Sequence, residues 1–362
     1  MDGGLLVMAD NKRSHNAKIE KNGEYYTEYS TIANEVCHYR DQLKGQIVYC
    51  NCDDPAWSNF WKYFHSNFAS LGLKRLISTH YQKDTEPSYA MVYDGGNDFD
   101  MDAGQIVDIY GNVADVNGEE VFYTAGDFRS DACLRFLRES TVVVTNPPFY
   151  LLREYVPCLI RHQKKFLIIA NHQAVTYKEI FPLIQKNMLW YGVSIHSGGV
   201  DFRIPDDYDT YGPKVFIKGN HHYINLDGIR WFTNLDVNYR HNGLWHKNGV
   251  LDNSQAHRYY EGFEQSYPKY NNYDVIEISE TKNIPIDYEG VMGVPISWLS
   301  KYNPDEFEII GMAEDNGRGF SGMLSRWDGL NPHCIVGNSK PKYKRLFIRN
   351  RHPIKKSDDL GY

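Results

Sequence analysis

From residue 46 to residue 171 the chain alternates short apolar runs with amphipathic ones. QIVYCN (46–51) is apolar enough for a buried strand. Ser58 then stands where a helix cap belongs, Phe60, Phe64 and Phe68 recur every four residues, and the pattern stops at Leu71-Gly72. KRLISTHY (74–81) and YAMVYDG (89–95) predict two further strands, followed by a turn-rich excursion of Asp and Gly from 94 to 120. A short helix is expected over DACLRFLRE (131–139), leading into the strand TVVVTN (141–146). YLLREYVPCLIRHQ reads as a helix interrupted near Pro157, and KKFLIIAN (164–171) as a fully buried strand.

Strands joined by helices of this length imply an α/β fold with a mostly parallel, doubly wound sheet and helices on both faces. Ligands of such sheets collect beyond the carboxyl ends of the strands. Asn51, Asp53, Thr79, Asp127, Asn146 and Asn171 all fall at or just past those ends. From about residue 200 the character changes: HHYINLDGIRWFTNLDVNYRHNGLWHKNG is punctuated by Gly and Asn, a pattern of hairpins and loops. The expected organisation is a catalytic domain over 1–235, its last strands near 191–196, 213–218 and 222–226, and a second module over 236–362.

Composition narrows the partners. The net charge of −7 argues against a chain that coats nucleic acid by bulk electrostatics. Its distribution is uneven: GNSKPKYKRLFIRNRHPIKK (337–356) holds Lys340, Lys342, Lys344, Arg345, Arg349, Arg351, Lys355 and Lys356 with no acid, a candidate phosphate-contacting strip. The aromatic fraction of 14%, with 28 tyrosines, favours a protein that handles rings or bases. Six scattered cysteines and an N-terminus without an apolar signal core point to the reducing cytoplasm, and no apolar run approaches the roughly 20 residues of a membrane span. Cys50 and Cys52 lack a second pair at zinc-finger spacing, so no metal site is expected.

The stretch 141-TVVVTNPPFY-150 carries the chemistry. Proline offers a carbonyl, no N–H and a fixed φ, so Asn146-Pro147-Pro148 is a stiff turn that presents acceptors. An exocyclic amine such as N6 of adenine is a poor nucleophile because its lone pair is delocalised into the ring. If the Asn146 side-chain oxygen and the Pro147 carbonyl each accept one amine hydrogen, the nitrogen is drawn toward tetrahedral geometry and its lone pair is freed. Phe149 supplies a flat face for the base.

On these residues the sequence resembles the adenine-specific DNA methyltransferases with Asn/Asp-Pro-Pro-Phe/Tyr after a sheet strand, and more narrowly the EcoRI-type adenine methylases. The resemblance extends over EYYTEYS (24–30), IVYCNCDDPAWSNFWKYF (47–64), LGLKRLISTHY (71–81), AGDFRS (125–130), VVVTNPPF (142–149), RWFTN (230–234) and GVPISWLSKYNPDEFEIIG (293–311). It implies a Rossmann-like class I methyltransferase sheet with an antiparallel last strand, and a C-terminal DNA-recognition region. It also implies S-adenosyl-L-methionine as cofactor, base flipping, and methyl transfer to N6 of adenine in double-stranded DNA, with a cognate restriction endonuclease acting separately. Carried over by position, Tyr26 and Thr27 contact the methionine end of the cofactor, Asp53 and Asp54 its charged groups, and Asp127 its adenine amine, with Phe128 packed near that ring. Asn146, Pro147 and Phe149 keep the roles derived above.

Two departures stand out. CNCDDP replaces the Gly-x-Gly turn of most methyltransferases, and Ser78-Thr79-His80 stands where an acid commonly grips the ribose, so Asp53 and Asp54 are not ranked and the ribose contact is unassigned. Other planar nitrogens suit the same acceptor pair: N4 of cytosine, an RNA adenine or a protein glutamine amide. A non-catalytic DNA-binding protein on this fold is the reading from a different class.

Overall fold

The computed structural model describes residues 25–81, 87–205, 214–247, 250–251, 258–313, 334–342 and 344–355. The chain divides into two compact units, one of residues 1–180 and 192–235, the other of 181–191 and 236–362.

The first unit is built on a central sheet. In chain order its elements are β1 (Tyr26–Thr27), α1 (Tyr29–Val36), β2 (Ile47–Cys50), α2 (Asn59–Ser66), β3 (Arg75–Thr79), β4 (Ser88–Tyr93), β5 (Gln105–Ile109), β6 (Asn112–Val116), β7 (Glu119–Tyr123), α3 (Asp131–Glu139), β8 (Val142–Thr145), α4 (Leu152–Arg161) and β9 (Lys165–Asn171). Four more strands complete it: β10 (Gly199–Ile204), β11 (Val215–Lys218), β12 (His221–Asp227) and β13 (Ile229–Thr233). The central sheet runs β13-β9-β8-β2-β3-β4-β5. The centre is parallel, β2 pairing with β3 and β8, and β8 with β9. Val48, Tyr49, Val143, Phe166 and Ile168 are fully buried there, each side chain contributing about 1.5–3 kcal/mol on removal from water.

The flanks correct the expectation of a mostly parallel sheet. β4 is antiparallel to β3 and to β5; the antiparallel pairing of β13, the last strand of this sheet, with β9 is the one antiparallel pairing that the resemblance implies. Only residues 80–87 separate β3 from β4, fewer than the roughly dozen that a parallel crossover needs. The excursion over 94–120 holds the edge strand β5 and most of the hairpin β6–β7. Pro157 lies inside α4 without interrupting it. The carbonyl deprived of a donor is that of Arg153, an exposed residue.

Local signals act as expected elsewhere. Ser58 Oγ accepts from the Phe60 amide at 3.1 Å to cap α2, and Ser130 Oγ accepts from Cys133 to cap α3. Glu35 of α1, fully buried, accepts from Tyr39 Oη (2.7 Å), Val193 N (2.8 Å) and Ser194 N (2.6 Å), tying α1 to the chain after Gly192. A second antiparallel sheet, β1-β10-β12-β11, takes up the strands beyond residue 195. It pairs Tyr26 with Arg203 and Thr27 with Phe202, holding β1 in place. The strands expected near 213–218 and 222–226 are Val215–Lys218 and His221–Asp227, residue 213 itself lying outside the described residues; near 191–196 only Trp190–Tyr191 is extended.

The second unit holds β14 (Val275–Glu277), β15 (Val291–Pro295), β16 (Phe307–Met312) and β17 (Arg345–Asn350), in the order β14-β15-β17-β16. The expected basic strip runs through the middle of this sheet. Arg345 is turned inward and pairs with buried Glu277 at 2.9 Å, Glu277 also accepting from Tyr270 Oη. Arg349 faces Glu308, Arg351 donates to the Pro304 and Phe307 carbonyls, and Lys355 pairs with Glu289. The strip is thus not one solvent-facing row, because a central strand turns alternate side chains to opposite faces. Lys340 is exposed, and Lys356 lies outside the described residues. Among the described residues no helix is long and apolar enough to cross a membrane.

Candidate active site

The chain leaves β2 toward β3 on one side and returns to β8 on the other, so the carboxyl ends of β2 and β8 flank the point where strand order reverses. A crevice opens at such a point. A cavity of about 180 Å³ lies there, walled by the turn after β2, the turn after β8, β1 and the loop before α3. Tyr26, Thr27, Asp53, Asp54, Asp127, Phe128, Asn146, Pro147 and Phe149 all line it.

Asn146 is oriented by its neighbours. Its Nδ2 donates to the Tyr25 carbonyl at 2.6 Å, and a carbonyl only accepts, so the amide has one orientation. That leaves Oδ1 on the other side, shielded from solvent and without a donor. Among the described residues no backbone amide donates to the Pro147 carbonyl. An unpaired buried acceptor costs about 1–3 kcal/mol, which a folded protein sustains where a ligand can repay it.

The two acids after β2 do different work. Asp53 holds the turn after β8: Oδ2 accepts from Thr145 Oγ1 and, at 3.4 Å, from the Asn146 amide, while Oδ1 accepts from Ser58 Oγ at 2.8 Å. Burial raises its pKa to about 6 in spite of those bonds. Asp54 faces the end of β3. Its Oδ2 meets His80 Nδ1 at 2.5 Å, and its Oδ1 accepts from Ala56 N (2.9 Å) and Tyr89 Oη (3.1 Å).

At the far wall Gly126 (φ 83°) passes against the chain after β3, and a Cβ there would stand 2.0 Å from the His80 carbonyl oxygen. Asp127 is gripped by Arg129: Nε donates to Oδ1 at 3.0 Å and Nη2 to Oδ2 at 2.8 Å, with the Arg129 amide also on Oδ1. Arg129 in turn meets Glu154 at 2.8 Å and lies over the Tyr123 ring at 4.9 Å. Phe128 is buried edge-on against Tyr155, their centroids 5.0 Å apart.

Comparison with known proteins settles the lineage. The family described as "Adenine-specific methyltransferase EcoRI" matches residues 13–351. The chain is 41% identical over 347 residues to the Type II methyltransferase M.EcoRI of Escherichia coli, covering 95% of this chain and 98% of that protein. The Type II methyltransferases M.MgeORF184P of Mycoplasma genitalium and M.MpnI of Mycoplasma pneumoniae are each 34% identical, across 92% and 93% of this chain and 98% of theirs. No solved structure matches. The chain belongs to the EcoRI family of adenine-specific methyltransferases. It is an enzyme of site-specific adenine methylation in DNA.

Within this EcoRI-type site, sequence reasoning missed Arg129 and the aromatic rim; of the adjacent Tyr25 and Tyr26, of which the sequence suggests only one faces the site, both line the cavity. Trp57, Tyr81 and Tyr150 line the cavity while 40–56% exposed, and Trp57 packs on Tyr26 at 4.1 Å. Their signal was present: large aromatics directly beside Asp54-Pro55, His80 and Phe149. Phe202 is fully buried and does not line the cavity.

Proposed function

We propose that the enzyme takes its methyl group from S-adenosyl-L-methionine and places it on N6 of an adenine flipped out of double-stranded DNA into the Asn146–Phe149 turn. The unpaired Asn146 Oδ1 carries this reading: an acceptor made in advance and kept from water suits an amine hydrogen whose capture draws the nitrogen lone pair out of conjugation with the ring. Asn146 Oδ1 and the Pro147 carbonyl hold the two amine hydrogens, Phe149 supports the ring, and Asp53 keeps Asn146 in register through Thr145. The surplus proton on the methylated amine is acidic enough to leave to water, so no side-chain base is required.

The cavity fits the proposed cofactor. Thr27 Oγ1 is a second buried, unpaired polar atom on its wall, and both aspartates of the β2 turn bring negative charge to it. When bound, the cofactor supplies an electrophilic methyl on a cationic sulfur. Tyr26 and Thr27 would hold its methionine end, Asp54 and Asp53 its charged end, and Asp127 with Phe128 its adenine. We read the first unit as the Rossmann-like class I catalytic domain and the region after 235 as target recognition. The type II names of the relatives support a restriction-modification setting with a separate cognate endonuclease.

Asn146→Ala should cost roughly 10²–10³-fold in kcat, the scale of losing one preorganised polar contact, with cofactor binding by calorimetry preserved. Wild-type turnover in that variant would remove Asn146 from the mechanism. Expression in a methylation-free host followed by single-molecule DNA sequencing identifies base, atom and motif together.

A further inference from the structure

We infer that Tyr25 is the second wall of the target-base slot, facing Phe149 across the space that the adenine ring takes. The inference rests on the base-flipping reading above and names a residue that lies 121 positions upstream of the Asn146 turn.

Three observations converge on Tyr25. Its ring and that of Phe149 both line the cavity, their centroids 6.0 Å apart at an interplanar angle of 37°. A base stacked between two rings needs about 3.4 Å on each face, near 6.8 Å in all. At 6.0 Å the two rings stand in aromatic contact, about 1 Å short of that separation, so a base enters by parting them. Fully buried Phe202 packs on Tyr25 with ring centroids 5.8 Å apart, so the Tyr25 ring rests against the core. The Tyr25 carbonyl also fixes the Asn146 amide, so the residue that would stack the base also sets the orientation of the side chain proposed to hold its amine. One backbone position thereby links the plane of the base to the acceptor for its nitrogen. The register of β1 on β10, with Thr27 opposite Phe202, keeps that position constant.

The test uses the full-length enzyme, sinefungin as a cofactor analogue, and a duplex with the motif found by sequencing, carrying 2-aminopurine at the target position. Wild type should move 2-aminopurine out of the helix and hold it between two quenching rings. Tyr25→Ala should leave the base flipped but brighter, lower kcat/KM on unmodified duplex roughly 10- to 100-fold, and leave sinefungin affinity within twofold. Tyr25→Phe, which keeps the plate, should restore both signals, and Tyr25→Leu, which keeps bulk without a plate, should not. Wild-type emission and kcat/KM in Tyr25→Ala would overturn the inference. So would a loss of sinefungin binding, which would move Tyr25 to the cofactor side, or rescue by Leu, which would make it mere filling. No emission change on wild-type binding would instead overturn base flipping itself.

Discussion

Asn146 gains its chemistry from what surrounds it. A free asparagine amide can turn over; this one cannot, because the Tyr25 carbonyl tolerates only the NH₂ group. Asp53 imposes the next constraint, and its proton matters. Burial lifts its pKa to about 6 from an ordinary value near 3.8. Between those values the folded chain keeps a proton that the unfolded chain has lost, so this group's contribution to stability falls as pH rises from about 4 to about 6 and is constant above. Activity runs the other way, because the Thr145 and Asn146 donors need the carboxylate. We expect kcat to fall below about pH 6, and Asp53→Asn to show lower turnover without that acid limb; an unchanged limb in the pH–rate profile would clear Asp53 of the role. Gly126 is the third constrained residue. Gly126→Ala meets the His80 backbone and an unfavourable φ together, so it should cost about 1–3 kcal/mol in thermal unfolding and weaken cofactor binding by calorimetry at least tenfold.

At the scale of elements, the turn after β2 does two jobs through Ser58. Its hydroxyl accepts from Phe60 to start α2 and donates to Asp53, which holds the turn after β8. Ser58→Ala should therefore cost roughly 1 kcal/mol for the cap, seen as a lowered melting temperature, and also reduce kcat; a stability loss with unchanged kcat would separate the two jobs. The periodic segments were legible: α3 spans the residues that its apolar pattern marked, and β9 ends where KKFLIIAN does. The excursion over 94–120 was not. Its strands β5, β6 and β7 are built from residues half exposed or exposed along most of their length, so no alternation of apolar and polar positions marked them. Pro157 misled for a related reason: orphaning a carbonyl costs less on an exposed residue than on a buried one, and the exposure of Arg153 is not written in the local sequence.

On the scale of the whole molecule, charge is where sequence and structure differ most. Eight cations in a row suggested one phosphate strip, but the sheet of the second unit spends Arg345 on Glu277. Burial pushes the Glu277 pKa up, yet Arg345 and Tyr270 outweigh it and hold the carboxyl below its usual value, so this pair stabilises at neutral pH and is lost on acidification. Arg345→Ala would strand a buried carboxylate at about 3–5 kcal/mol, read as destabilisation. Lys340→Ala should instead leave the melting temperature unchanged and lower the slope of log K against log salt for DNA by about 1. A strong stability effect from Lys340 or an altered salt slope without unfolding from Arg345 would reverse this division.

The sequence by itself determined the parallel centre of the sheet, the caps and the stiff Asn-Pro-Pro turn that ends β8, because each depends on residues within a few positions of one another. Tertiary structure alone decided which of two adjacent aspartates serves the turn and which meets His80, that Arg129 grips Asp127, and that Tyr25 lies against Phe149. Those outcomes depend on contacts between segments far apart in the chain, whose geometry is set by strand order and burial and leaves no local periodicity behind.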